Sequence, residues 1–112
     1  MRREELYLND ICEAAESISR FIAGLDEAGF RESELVMSAV VHKLAVIGEA
    51  AARVSTDFRS RTGEIPWAEI VAFRNILVHA YFGIDWGVVW RAASKEAPQL
   101  RARIKELLQK EF

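Results

Sequence analysis

The stretch Phe73-Arg74-Asn75-Ile76-Leu77-Val78-His79-Ala80-Tyr81 sets an arginine, an asparagine, a histidine and a tyrosine within eight residues of an otherwise apolar run. Those residue types suit cutting RNA without a metal. A histidine titrating near neutrality can take a proton from a 2′-hydroxyl or give one to a leaving oxygen. A guanidinium can grip a phosphate bidentately and stabilise the charge that builds in its transition state. Asn75 could orient either group. On a continuous helix Arg74 and Tyr81 share a face, whereas His79 sits about 140° around from Arg74, at 100° per residue. A purely structural alternative stands beside this one. Arg74 would then cap a carbonyl or pair with an acid such as Glu49, with His79 and Tyr81 half-buried.

Other chemistry-bearing residues have simpler readings. His42 and Glu49 are seven residues apart and share a helix face, but an exposed or partly buried helix position explains His42 equally well. Trp67, Trp86 and Trp90 could stack on bases. At helical spacing in a small bundle they read instead as core or interface residues. Cys12 is the one cysteine, so no intrachain disulfide forms, and it reads as a small buried apolar residue. With two histidines in all, no metal-ligand cluster is expected and no cofactor is called for. No Gly-rich phosphate loop and no nucleophile elbow is present.

The elements that must position these side chains read as helical throughout. Leu8, Ile11, Ala15, Ile18, Ile22 and Leu25 form one apolar stripe, with Gly24, Asp26 and Gly29 ending that helix. The acids Glu4, Glu5, Asp10, Glu13 and Glu16 read as a solvated face. A second helix starts near Glu32 or Ser33 and carries Val40, Leu44, Ile47, Ala51 and Val54. Its small residues, Gly48 among them, let another helix approach closely. Thr56 to Gly63, polar and arginine-bearing, reads as a loop. Pro66 suits the first turn of a third helix, with Tyr81-Phe82-Gly83 as its exit. Asp85 is placed to cap a fourth helix, Trp86 to about Ala93, and Pro98 to start a last one. No strand-like alternation and no internal repeat is visible. The expected fold is an all-α bundle of four to five helices in a single domain, 1–112.

Composition bounds the rest. The chain has 112 residues, 51% hydrophobic and 29% charged, with a formal charge of −2, which excludes disorder and a basic nucleic-acid coat protein. Any nucleic-acid chemistry must come from a local positive site. The N-terminus carries charges where a signal peptide needs an apolar core, and the longest apolar run, Val36 to Ala52, is broken by His42, Lys43 and Glu49. The expectation is a cytoplasmic protein with no membrane partner.

Arg-x4-His-x-Tyr, as Arg74 to Tyr81, resembles the signature of HepT-like proteins of the HEPN superfamily. The surroundings agree in order and spacing: Ile47-Gly48-Glu49-Ala50-Ala51, then Ile65-Pro66-Trp67, then Tyr81-Phe82-Gly83-Ile84-Asp85 and Val88-Val89-Trp90, closing with Ile104 and Leu107-Leu108. The resemblance spans essentially the whole chain. It implies a metal-independent ribonuclease toxin of a type VII toxin–antitoxin module, acting on RNA as a homodimer whose two motifs face one cleft. It further implies neutralisation by an MntA-like minimal nucleotidyltransferase that transfers AMP from ATP onto the motif tyrosine. Carried over by position, Arg74 and His79 are the catalytic pair, Asn75 is a supporting polar residue and Tyr81 is the AMP acceptor. Two other classes stay open: a non-catalytic helical partner of a nucleotidyltransferase (the antitoxin), and a nucleotide-binding module in which Arg74 holds a phosphate without cleavage.

Overall fold

The first apolar stripe becomes helix α1, Arg3–Phe21, which buries Leu8, Ile11, Ala15 and Ile18 completely. Glu4 and Glu5 sit in its first turn and Arg20 in its last, each matched to the helix dipole. The computed structural model describes residues 3–112. The chain leaves α1 before Ile22 and reverses through Gly24, whose φ of +80° is the left-handed conformation that glycine adopts without strain. Gly29 does not end α1. It lies inside a short helix α2, Glu27–Arg31, where its N–H donates to the capping Asp26 carboxylate at 2.8 Å.

Ser33 caps helix α3, Glu34–Arg53, by accepting from the Val36 N–H at 3.2 Å. α3 has 20 residues and, by length and composition only, an 18-residue stretch apolar enough to cross a bilayer, with a mean hydropathy of 1.6. Here it is the central rod, with α1 on one side and α5 on another. Val40, Val41, Leu44, Ile47, Ala50 and Ala51 are its buried face.

The segment expected as a loop, 56–63, is mostly helix α4, Thr56–Arg61. Its polar composition misleads because only one turn-face is needed for anchoring. Ser55 caps it at the Phe58 N–H, and Phe58 is 2% exposed. The buried Thr62 hydroxyl donates to the Phe58 carbonyl at 2.7 Å and accepts from Trp67 Nε1 at 3.0 Å. Arg59 donates to the Ala51 carbonyl at 2.7 Å and so closes the end of α3.

Helix α5, Trp67–His79, follows Pro66, which stands just outside the first turn as its N-cap. Tyr81–Gly83 forms a single 3-10 turn. Asp85 caps α6, Trp86–Arg91, accepting from the N–H groups of Gly87 and Val88 at 2.9 and 3.3 Å. The two separate helices expected after Asp85 are one rod. α6 passes through a π turn, Ala92–Glu96, directly into α7, Ala97–Glu111. Pro98 has no N–H to donate and its ring would meet the Ser94 carbonyl in a regular helix. The wider π turn takes up that misfit without breaking the rod. Trp86 and Trp90 pack on Phe30 of α2, with ring centroids 6.2 and 5.3 Å away. No strand occurs among the described residues, and the fold is all-α.

α7 returns along α1, where Arg101 holds Glu16 at 2.6 Å. Glu16 therefore departs from the solvated face assigned to it, and the Arg101 guanidinium keeps its carboxyl below the usual carboxylate range, by hydrogen bond and then by charge. Cys12 is buried beside the Arg101 carbonyl, and that burial pushes its thiol up.

Candidate active site

α5 presents two different faces. Trp67, Ile70, Arg74 and Leu77 recur at helical spacing toward α3, so Arg74 occupies a position that packing would give to an apolar residue. Gly48 of α3 makes this possible. A Cβ there would collide with Cβ and Cγ of Arg74. The arginine stem thus lies directly on the glycine backbone, and its head reaches the next α3 residue. Nη1 of Arg74 meets Oε1 of Glu49 at 2.6 Å. The Arg74 side chain is 20% exposed, while its Nε is buried and has no hydrogen-bond partner.

The other motif residues turn outward. Asn75 and His79, four residues apart on α5, are both exposed, and neither side chain makes a hydrogen bond or ion pair with the described residues. His79 is the last residue of α5, before the Ala80 N–H closes the helix on the Ile76 carbonyl at 2.9 Å. Tyr81 follows in the 3-10 turn, 43% exposed, its ring edge-on to Phe82 and Trp86 at 5.9 and 6.3 Å. The pairing of Arg74 with Glu49 that the structural alternative anticipated is present. Tyr81, at 43% exposed, is about half-buried as that alternative also anticipated, whereas His79 is exposed.

Arg74 is held in the α3–α5 seam and His79 is exposed, so the two side chains leave different sides of α5, in keeping with the helical angle of about 140°. Apolar side chains surround the exposed motif: Ile76, Val78 and Val88 are about half exposed and Phe82 fully so. A cleft of about 420 Å³ between α3, α5 and the α6–α7 rod is lined by Leu44, Ile47, Ile70 and Phe73 among others, and contains none of the four motif residues. His42 is exposed on α3, as its simpler reading has it. The described residues bring no three His, Cys, Asp or Glu side chains together as metal ligands.

The contact of Gly48 with Arg74 was not assigned from sequence, although one signal was there. A glycine in mid-helix costs about 1 kcal/mol relative to alanine, so one standing among alanines marks a close approach.

An all-helical protein with an arginine and a histidine carried on one partly uncovered helix defines the class. The chain belongs to the ribonuclease HepT-like family of the HEPN superfamily, whose profile matches residues 11–107. It is 36% identical over 106 residues to a Thermococcus cleftensis protein named "Probable ribonuclease HepT", covering 95% of this chain and 96% of that one. It is 33% identical over 111 residues to a Caldanaerobacter subterraneus subsp. tengcongensis protein named "Putative RNase", covering 99% of each. A Methanocaldococcus jannaschii protein of the same description is 34% identical over 104 residues, 93% of this chain and 95% of that one. No solved structure matches the chain.

Proposed function

We propose that this protein is a metal-independent endoribonuclease whose site is completed by a second copy of the chain. The observation that carries the reading is the division of α5, with Arg74 fixed in the seam and His79 free at the exposed helix end. In the proposed reaction the 2′-oxygen of RNA attacks the adjacent phosphorus and the P–O5′ bond breaks, leaving a cyclic phosphate and a 5′-hydroxyl. One imidazole takes the 2′-hydroxyl proton, and a second, already protonated, gives one to the departing O5′. A single ring cannot do both in one step, whereas two copies supply two. Arg74 stabilises the charge on the phosphoryl oxygens. Asn75, on the His79 side of α5, orients the strand.

The homodimer has its own support. α5 is apolar nearly all round, yet buries only Trp67 and Leu77. A helix of that kind needs cover on both sides. Ile76, Val78 and Phe82 around the motif supply surface for a two-fold interface.

The toxin–antitoxin reading rests on Tyr81. Tyr81 is 43% exposed, and an AMP acceptor has to be reachable by a nucleotidyltransferase. The tyrosine oxygen would attack the α-phosphorus of ATP, pyrophosphate would leave, and the phenol proton would pass to the transferase. The product adds an anionic nucleotide beside the groove and excludes RNA phosphate.

The test is cleavage of RNA in EDTA by wild type, Arg74→Ala and His79→Ala. Wild type is expected to cut, and loss of either residue to reduce the rate by about 10²–10⁴-fold with helicity unchanged. Cleavage that vanishes in chelator and returns with Mg²⁺ contradicts the mechanism. An inert wild type that still binds a nucleotidyltransferase supports the non-catalytic partner instead. Tyr81→Phe should stay toxic and escape a co-expressed transferase, and normal neutralisation of that variant rules out the AMP site.

A further inference from the structure

The geometry points to Glu49 as a positioning residue for Arg74: the Gly48-Glu49 pair of α3 seats the arginine stem and fixes its head, so that one guanidinium edge is presented to the scissile phosphate. This rests on the nuclease reading above.

Three observations converge. Gly48 removes the one Cβ that would push Arg74 away, so the stem has a defined seat. Glu49 then takes the head through a single short contact, Oε1 to Nη1 at 2.6 Å, rather than through a two-pronged clamp. The Nε is buried and takes no partner, so it adds no second anchor. A fork–fork pair with Glu49 would consume the parallel N–H groups that recognise phosphate. The one-point contact uses one N–H of Nη1 and leaves the other, with those of Nη2, for that task.

An unrestrained arginine must lose rotamer freedom on every binding event, and a carboxylate that orders it beforehand removes that cost from the reaction step. The same carboxylate also weakens the positive field that RNA meets. These two effects oppose each other in binding, but only orientation acts on the chemical step. The expected signature is therefore a change in kcat with little change in KM. If Glu49 were a brake that RNA has to displace, its removal would raise activity instead. Its side chain is 53% exposed, so replacing it leaves no cavity.

The experiment compares wild type, Glu49→Ala and Glu49→Gln in two measurements. The first follows the side-chain nitrogen resonances of Arg74 by NMR without RNA. They should be resolved in wild type and averaged by fast rotation in Glu49→Ala, with the backbone spectrum otherwise kept. The second measures RNA cleavage. Glu49→Ala should lose about 10- to 100-fold in kcat, the scale of a misplaced catalytic group. Its KM should stay within about two-fold, the mark of an interaction made in the transition state alone. Glu49→Gln, an uncharged acceptor of the same shape, should recover part of the loss. Unchanged Arg74 order, an unchanged kcat, or a faster Glu49→Ala would each overturn the proposal. Loss of Arg74 order in an otherwise inert set of proteins would refute the nuclease reading while upholding the clamp itself.

Discussion

Helices α1 and α5 both lie against α3, yet they use their apolar residues in opposite ways. α1 has a charged back and one apolar stripe, and it buries Leu8, Ile11, Cys12, Ala14, Ala15, Ser17 and Ile18. α5 is the more apolar helix, yet it buries only Trp67 and Leu77 and puts an arginine into its own seam. The first arrangement yields stability from a single protomer. The second gives up packing and gains a held guanidinium on one side and an exposed imidazole and apolar surface on the other. The apolar but uncovered residues Ile76, Val78 and Phe82 are the surface on which the proposed dimer rests.

Substitutions in the two helices should separate these roles. Ile18→Ala removes a fully buried side chain from α1 and should cost about 2–5 kcal/mol in urea unfolding. Val78→Glu on the exposed side of α5 should change protomer stability by no more than about 0.5 kcal/mol. If the proposed dimer forms through this face, the variant should nevertheless be monomeric in light scattering, because burying an added carboxylate from each copy in the interface is unfavourable. A Val78→Glu protein that unfolds as readily as Ile18→Ala would erase the distinction.

Gly48→Ala probes the seam between them at intermediate size. The added methyl group must displace Arg74 or move α5 off α3. Overpacking of this kind costs about 1–3 kcal/mol, offset by the roughly 1 kcal/mol helix preference of alanine. The expected outcome is a small net loss of stability with a much larger loss of cleavage. A fully active Gly48→Ala would show that the arginine seat does not matter.

The smallest effect concerns pH on the α1 side. Glu16 is held below its ordinary value of 4.5 by Arg101, so the folded state resists protonating it more than the unfolded chain does. That contribution is complete above pH 4.5 and disappears as the pH falls through the lowered folded value. Urea midpoints of wild type should therefore drop more steeply below that range than those of Glu16→Gln. Parallel curves would mean that the ion pair is too well solvated to register.

The contrast also explains what could be read from the chain. The α1 stripe from Leu8 to Ile18, the start of α3 beside Ser33 and the cap at Asp85 are local patterns that the structure bears out, while Ile22 and Leu25 of the expected stripe lie beyond the end of α1. α4 was hidden because its anchoring depends on Phe58, Thr62 and Trp67 meeting across the α4–α5 junction, which polar composition does not reveal. The α6–α7 rod was split because proline normally breaks a helix, and the π turn that admits Pro98 leaves no mark in periodicity. At the site, the residue types of Arg74, Asn75, His79 and Tyr81 were legible together. Their division between a seam and an open face was legible only as an angle. That Gly48 seats Arg74 depends on how two helices cross, a tertiary fact.

The central claim is that Arg74 and His79 act in one cleft shared by two copies, and mixed dimers test it directly. Wild type and His79→Ala should be unfolded together and refolded at varied ratios, with total RNA cleavage measured at a fixed total protein concentration. If both copies furnish an imidazole to one cleft, only dimers of two wild-type chains cut, and total activity follows the square of the wild-type fraction. Activity that falls in simple proportion to that fraction would show that each protomer works alone, and would contradict the account.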